Sequence, residues 1–295
     1  MEELKLNLKP LIKKLEVSTK KGFTGILTGS YKSTFKGKGL DFEGYRDYDV
    51  GDDASLIDWK ATLRSQELLI KVLTEERNVN VVFLVDVSSS MSFASVEKLK
   101  NEYAAELVAS MSFAAIQAGD SVGLVMFTDR MVKFLPPTMG NRQYFMIIKA
   151  LSDPKLYDGK FDFTKIIKDL MNSIKRRAIV VIVSDFIGLG KDWEKYLRAA
   201  SEKFEVIGMM VRDPRDYEMP ADVGQVVISD PYSEKEVLID TAAVKEEYES
   251  AVKEQVKHIK ETFINSKSEF LELRTDKPFL HDIIRFFLMR TKRRR

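Results

Sequence analysis

The sequence predicts an α/β protein: a doubly wound, mainly parallel sheet flanked by helices, preceded by an N-terminal extension of loops and short strands. Three observations predict it. The β-branched runs "NVNVVFLVD", ending at Asp86, and "RRAIVVIVSD", ending at Asp185, are continuously apolar, as strands covered on both faces must be. From Val79 onward, strand-like runs alternate with segments of helical period. Before Val79 that alternation is missing, and residues 22–75 are dotted with glycine and dense in charge and aromatics.

Taken in order, residues 1–20 place Leu4, Leu8, Leu11, Ile12 and Leu15 at helical spacing, with Pro10 as a start or a kink. "LLIKVL" is a strand within the extension. After the first buried strand, "VEKLKNEYAAELVASMSFAAIQAG" is a long helix closed by Gly119. "DSVGLVMF" is the next strand, and "MVKFLPP" an antiparallel edge beside it. "NRQYFMIIKAL" and "DFTKIIKDLMNSI" are helices, the second capped by Asp162. Beyond the second buried strand come helix "KDWEKYLRAASEK", strand "FEVIGMMV" and short strands "QVVIS" and "EVLID". A long charged helix, strand "EFLELR" and a helix opening at Pro278 complete the chain. The expected division is 1–77, an extension packed on the main domain, and 78–295, the main domain with its C-terminal helices.

Composition narrows the function classes. With 295 residues, 44% hydrophobic and 31% charged, the chain reads as a globular protein. A net charge of +2 gives no electrostatic footprint for nucleic acid, and the basic ends read as solvated helix termini. There is no cysteine, which excludes disulfides, thiol catalysis and cysteine-bound zinc. His258 and His281 lie in helical segments and read as surface or packing residues. No apolar run approaches the roughly 20 residues of a membrane helix, and the acidic start is no signal peptide, so the expected location is cytoplasmic. Gly37-x-Gly39 reads as a turn, because no strand-to-helix context follows it. The acids Asp47, Asp49, Asp52, Asp53 and Asp58 read as turn caps and partners of Arg46, Lys60 and Arg64, and Trp59 as a packing anchor.

In an open α/β sheet, ligands bind beyond the carboxyl ends of the strands. Asp86 opens Asp-x-Ser-x-Ser, so Ser88 and Ser90 join a carboxylate on one turn, and Asp185 brings a second carboxylate from another strand end. Hard oxygen donors of this kind suit Mg²⁺, with Mn²⁺ or Ca²⁺ as alternatives, and a cation would offset the repulsion between the acids.

Asp86-Val-Ser88-Ser-Ser90 resembles the metal-ion-dependent adhesion site of von Willebrand factor type A domains, which are doubly wound α/β folds. The resemblance implies a metal shell completed by a second-loop threonine, matched by Thr164 with Thr128 as the alternative, and by the aspartate matched by Asp185. Residues 29–77 are similar to the segment preceding the type A domain in the domain-of-unknown-function fifty-eight family. The match is carried by Gly37-Lys-Gly39, Phe42-Glu43, Arg46-Asp47-Tyr48, Gly51-Asp52-Asp53, Ile57-Asp58-Trp59-Lys60 and Glu76-Arg77. That resemblance implies a MoxR-type AAA ATPase as partner.

The expected function is a metal-dependent protein-protein interaction module, not an enzyme. Asp86, Ser88, Ser90, Thr164 and Asp185 would hold a divalent cation whose open position takes an acidic residue of a partner. The alternative is a metal-dependent hydrolase or phosphotransferase using the same strand-end aspartates. It lacks a visible general base, because the metal loops contain no His, Cys or Lys.

Overall fold

A computed structural model describes residues 39–76, 79–220, 223–233 and 235–293. The expected N-terminal helix over residues 1–20 and the Gly37 turn lie outside the described residues. What is described divides into two compact units, one within Phe35–Val79 and the other running from Asn80 onward.

The first unit is a hairpin with a helix in its connection. Strands β1 (Gly39–Asp47) and β2 (Leu69–Glu76) pair antiparallel, with a bulge between Phe42 and Gly44. Helix α1 (Trp59–Ser65) sits between them, its first turn capped by the Asp58 carboxylate, which accepts from the backbone N–H groups of Lys60 and Ala61. Asp53 caps a short 3₁₀ turn in the same way, and Arg46 makes a two-pronged bridge to Asp52 at 2.7 Å. Asp52, Asp53 and Asp58 therefore cap or pair, with Arg46 as the expected partner of Asp52, but Asp58 meets Lys71 at 3.3 Å rather than Lys60 or Arg64. Trp59 opens α1.

The second unit is organised by a six-stranded sheet in the order β10-β7-β6-β3-β4-β5. Its strands are β3 (Asn80–Asp86), β4 (Ser121–Phe127), β5 (Met131–Thr138), β6 (Ile179–Ser184), β7 (Glu205–Arg212) and β10 (Glu269–Arg274). All neighbours run parallel except β5, which turns back along β4 as the expected antiparallel edge. β3 and β6 are buried almost end to end, which is why their sequences do not alternate.

Helices cover both faces. On one face, α4 (Phe163–Ser173), α5 (Trp193–Lys203) and α6 (Thr241–Asn265) send Ile166, Leu170, Leu197, Ile259 and Phe263 against Val82, Leu84, Val180 and Ile182. On the other, α2 (Lys100–Gln117) lies over β3 and β4 and packs beside α3 (Asn141–Leu151). α7 (Leu280–Arg293) completes the chain, and a separate antiparallel ribbon, β8 (Gln225–Ser229) with β9 (Glu236–Asp240), branches off between β7 and α6.

One boundary differs from the sequence reading in a way that matters. The helical pattern predicts a start near Val96, but α2 begins at Lys100. Residues before it are drawn elsewhere: Ser95 gives both its backbone N–H and its hydroxyl to Asp213. The Glu102 carboxylate then accepts from the Leu99 N–H at 3.1 Å and closes the first turn. Gly119, at φ +92°, ends the helix as predicted. At the C-terminus the helix begins at Leu280 rather than Pro278.

The chain changes sides of β3 between β5 and β6, which places the topological switch point at the β3–β6 junction. Packing over the sheet is tight. A Cβ on Gly208, in the middle of β7, would lie 2.5 Å from Cε1 of Phe263. Gly208→Ala is therefore expected to destabilise the fold by about 1–3 kcal/mol through overpacking. Urea unfolding checks this, and Phe263→Leu in the same background should recover part of the loss.

Candidate functional site at the β3–β6 junction

The register of the two central strands sets Val85 opposite Val183, so Asp86 faces Ser184 and Asp185 follows one residue on. Both carboxylates are fully buried, as is Ser88, and Ser90 is 4% exposed. Asp86 accepts from the Ser88 N–H at 2.9 Å and from the Ser184 hydroxyl at 2.6 Å. Asp185 accepts from the Ile187 N–H at 2.9 Å through one oxygen. Each acid thus caps the turn that follows its own strand. Ser88 and Ser90 hydroxyls lie 3.4 Å apart, so the first loop does bring its hydroxyls together beside the paired carboxylates.

The neighbouring loop is stitched to this one. Ser89 gives its N–H to Gly159 O, and Asp158 gives its own to Val87 O. Thr128 stands beside Gly159 and turns its hydroxyl to Asp129 at 3.2 Å. Thr164 occupies the first turn of α4 and lines a cleft of about 570 Å³ with Phe161, Lys165, Lys168, Gly188 and Lys191. None of Asp86, Ser88, Ser90 or Asp185 lines that cleft. The structure thus groups four of the five expected ligands, and Thr164 makes no hydrogen bond to any of them.

Two residues that the sequence reading passed over enter the cluster. Lys100 is 1% exposed, and its ammonium donates to Asp185 Oδ2 at 2.7 Å and Asp216 Oδ2 at 3.0 Å. Tyr232, at the tip of the β8–β9 ribbon, donates its hydroxyl to Ser90 at 2.8 Å and sits 3.3 Å from the Ser88 hydroxyl. The lysine comes not from the loops themselves but from the first position of α2. A lysine inside a helical pattern reads as solvated, and only the delayed start of α2 turns Lys100 inward. Tyr232 carries no periodic signal at all.

Electrostatics follow from burial and spacing. Loss of water, and then the Asp185 charge, push the Asp86 carboxyl up to about 7. Burial works against the Lys100 ammonium, yet Asp185 and Asp216 outweigh it and hold the lysine above its ordinary value. Burial raises Asp216 despite the opposing pull of Lys100. Burial, then Asp185 and Asp86, raise the Tyr232 phenol, so it stays a neutral donor.

A resident divalent cation can be tested against this donor set. Asp86 has both oxygens engaged by Ser88 and Ser184, and Asp185 has both engaged by Ile187 and Lys100. The serine hydroxyls are shared with Tyr232, and no side-chain oxygen of the four residues is buried without a partner. The compensating positive charge is already present as an ammonium. With their oxygens so engaged and an ammonium beside them, these residues do not fit a resident cation.

The Asp86 shift has a pH consequence. Its folded value lies above the roughly 3.9 of an unfolded aspartate, so the folded state holds this proton more tightly. The stability it contributes is complete below about pH 4 and is lost as pH rises through about 7. Unfolding measured from about pH 5 to pH 8 should show a decline on the order of a few kcal/mol, and Asp86→Asn should flatten it.

An uncharacterized protein of Mycobacterium tuberculosis is 28% identical over 285 residues, covering 95% of this chain and 89% of its own length. Another from Mycobacterium avium is 33% identical over 133 residues, covering 44% of this chain and 77% of its own. Among solved structures, the conserved hypothetical protein BatB from Bacteroides thetaiotaomicron aligns with TM-score 0.47 at 16% identity, over 73% of this chain and all of that one. A von Willebrand factor type A protein from Catenulispora acidiphila aligns with TM-score 0.33 at 18% identity, over 50% of this chain and 36% of that one. No helix among the described residues is long and apolar enough to cross a membrane. Residues 44–258 match the family described as protein of unknown function DUF58, and the chain belongs to that family.

Proposed function

We propose that this chain is a non-catalytic protein-interaction module whose contact surface joins the β8–β9 ribbon to the carboxyl edge of the sheet. The ribbon is the observation that carries the reading. Val227, Ile228, Val237 and Leu238 are 57%, 42%, 59% and 62% exposed on a two-stranded element. The cross-strand pairs Val227–Leu238 and Ile228–Val237 put apolar side chains on both faces of the ribbon. A ribbon of two strands is marginal by itself, and exposed apolar faces of this kind mark an interaction site. Its tip is bonded to the first loop through Tyr232, so a partner gripping the ribbon would bear directly on Ser88 and Ser90.

The cleft beside Thr164 supports a partner with an acidic segment. Lys165, Lys168 and Lys191 line it, and among the described residues none of the three is paired with a carboxylate. The partner implied by the family resemblance is a MoxR-type AAA ATPase, and it is the one to test. Against catalysis stands the chemistry of the cluster: the Ser88 and Ser90 hydroxyls neighbour other hydroxyls, Ser89 donates to the Asp158 carboxylate at 2.5 Å with no histidine beside it among the described residues, and His258 on α6 pairs with Glu194 on α5. The metal-dependent form of the reading is favoured by the Asp-x-Ser-x-Ser turn, and its shell would be Asp86, Ser88, Ser90, Thr164 and Asp185 around Mg²⁺. The engaged donors weigh against it.

The test is a titration of this chain with a purified MoxR-type ATPase. Binding is expected with and without EDTA. Val227→Lys with Leu238→Glu, which face each other across the ribbon with opposite charges, should weaken it at least tenfold, while stability changes by no more than about 0.5 kcal/mol for such exposed positions. No binding by the unaltered chain sinks this partner surface, and binding lost in EDTA restores the metal-dependent form.

A further inference from the structure

We infer that Lys100 is itself the cation of this site: its ammonium supplies the charge that a divalent ion would bring and ties three strand-end loops together without metal. The inference is independent of which partner binds.

The geometry is that of an internal counter-ion. Lys100 opens α2, directly after the loop that follows β3, and reaches Asp185 beyond β6 and Asp216 in the turn beyond β7. It is 1% exposed, and the Phe93 ring covers it at 5.7 Å from the centroid. Two of its three N–H donors meet carboxylates at 2.7 and 3.0 Å. The turn carrying Asp216 also holds Asp213, which takes the Ser95 N–H at 2.8 Å and so fixes the segment that leads into Lys100. A second buried cation supports the same point, since Arg212 Nε donates to the Asp185 carbonyl at 3.0 Å. The loops after β3, β6 and β7 are therefore joined through one ammonium.

Mg²⁺ requires a near-octahedral set of oxygens at about 2.0–2.1 Å. An ammonium needs only acceptors around a tetrahedron, and two carboxylates supply them here. A divalent ion entering beside Lys100 would meet a like charge in a dry setting, and binding would require the lysine to leave. Leaving would strip the compensating charge from Asp185 and Asp216, the costly case for a buried pair.

The test measures the thermal midpoint of the full chain in EDTA, in Mg²⁺ and in Mn²⁺, with calorimetric titration of Mn²⁺. The unaltered chain should show the same midpoint in all three, within about 1 °C, and no saturable Mn²⁺ binding, because a ligand that binds only the folded state would raise it. Lys100→Met should lower the midpoint in EDTA and regain part of it in Mn²⁺, which then finds uncompensated carboxylates. Where that variant does not fold, Asp185→Asn decides: its loss should be equal in EDTA and Mg²⁺. One equivalent of Mn²⁺ bound by the unaltered chain with a raised midpoint, or a loss in Asp185→Asn confined to Mg²⁺, overturns the inference. Partner binding that fails while the midpoints stay cation-independent sinks the proposed contact surface and leaves the role of Lys100 standing.

Discussion

Two carboxylates buried at the ends of adjacent parallel strands are the constraint on which the rest of this structure depends. Asp86 and Asp185 are fully buried where β3 and β6 meet, so each has lost its hydration and feels the other. Such a pair persists only if its surroundings supply hydrogen bonds and positive charge. Backbone N–H groups and the Ser184 hydroxyl supply the first, and Lys100 supplies the second.

That compensation shapes the chain around it. Lys100 reaches Asp185 because α2 starts late, and α2 starts late because Ser95 is held by Asp213. Asp213 and Asp216 share a turn whose own backbone is capped by these acids, so one short segment serves both ends of the network. The buried charges thus join the loops at the carboxyl edge through one network. The β8–β9 ribbon adds a neutral lid through Tyr232, linking an exposed apolar surface to a rigid polar floor.

Legibility in the sequence divides along physical lines. β3 and β6, the antiparallel edge at β5, the helix Asn141–Leu151 and the Asp162 cap are all readable, because apolar runs, period and capping chemistry are local. The convergence of Asp86, Ser88, Ser90 and Asp185 is readable for the same reason, given a parallel sheet and its strand ends. A threonine in a first helical turn can face either neighbouring loop, so the sequence alone leaves Thr164 and Thr128 as alternatives. Lys100 and Tyr232 left no trace, since their partners lie 85 and 142 residues away along the chain.

The sequence by itself determined the α/β architecture, the strand ends that carry acids and the family to which the chain is similar. These rest on patterns a few residues long that act wherever the segment sits. Only the tertiary structure decided what balances the acids. Charge compensation in a dry interior depends on distances of a few ångströms between segments far apart in the chain, and it is fixed by how α2, the turn after β7 and the ribbon come to rest on the sheet.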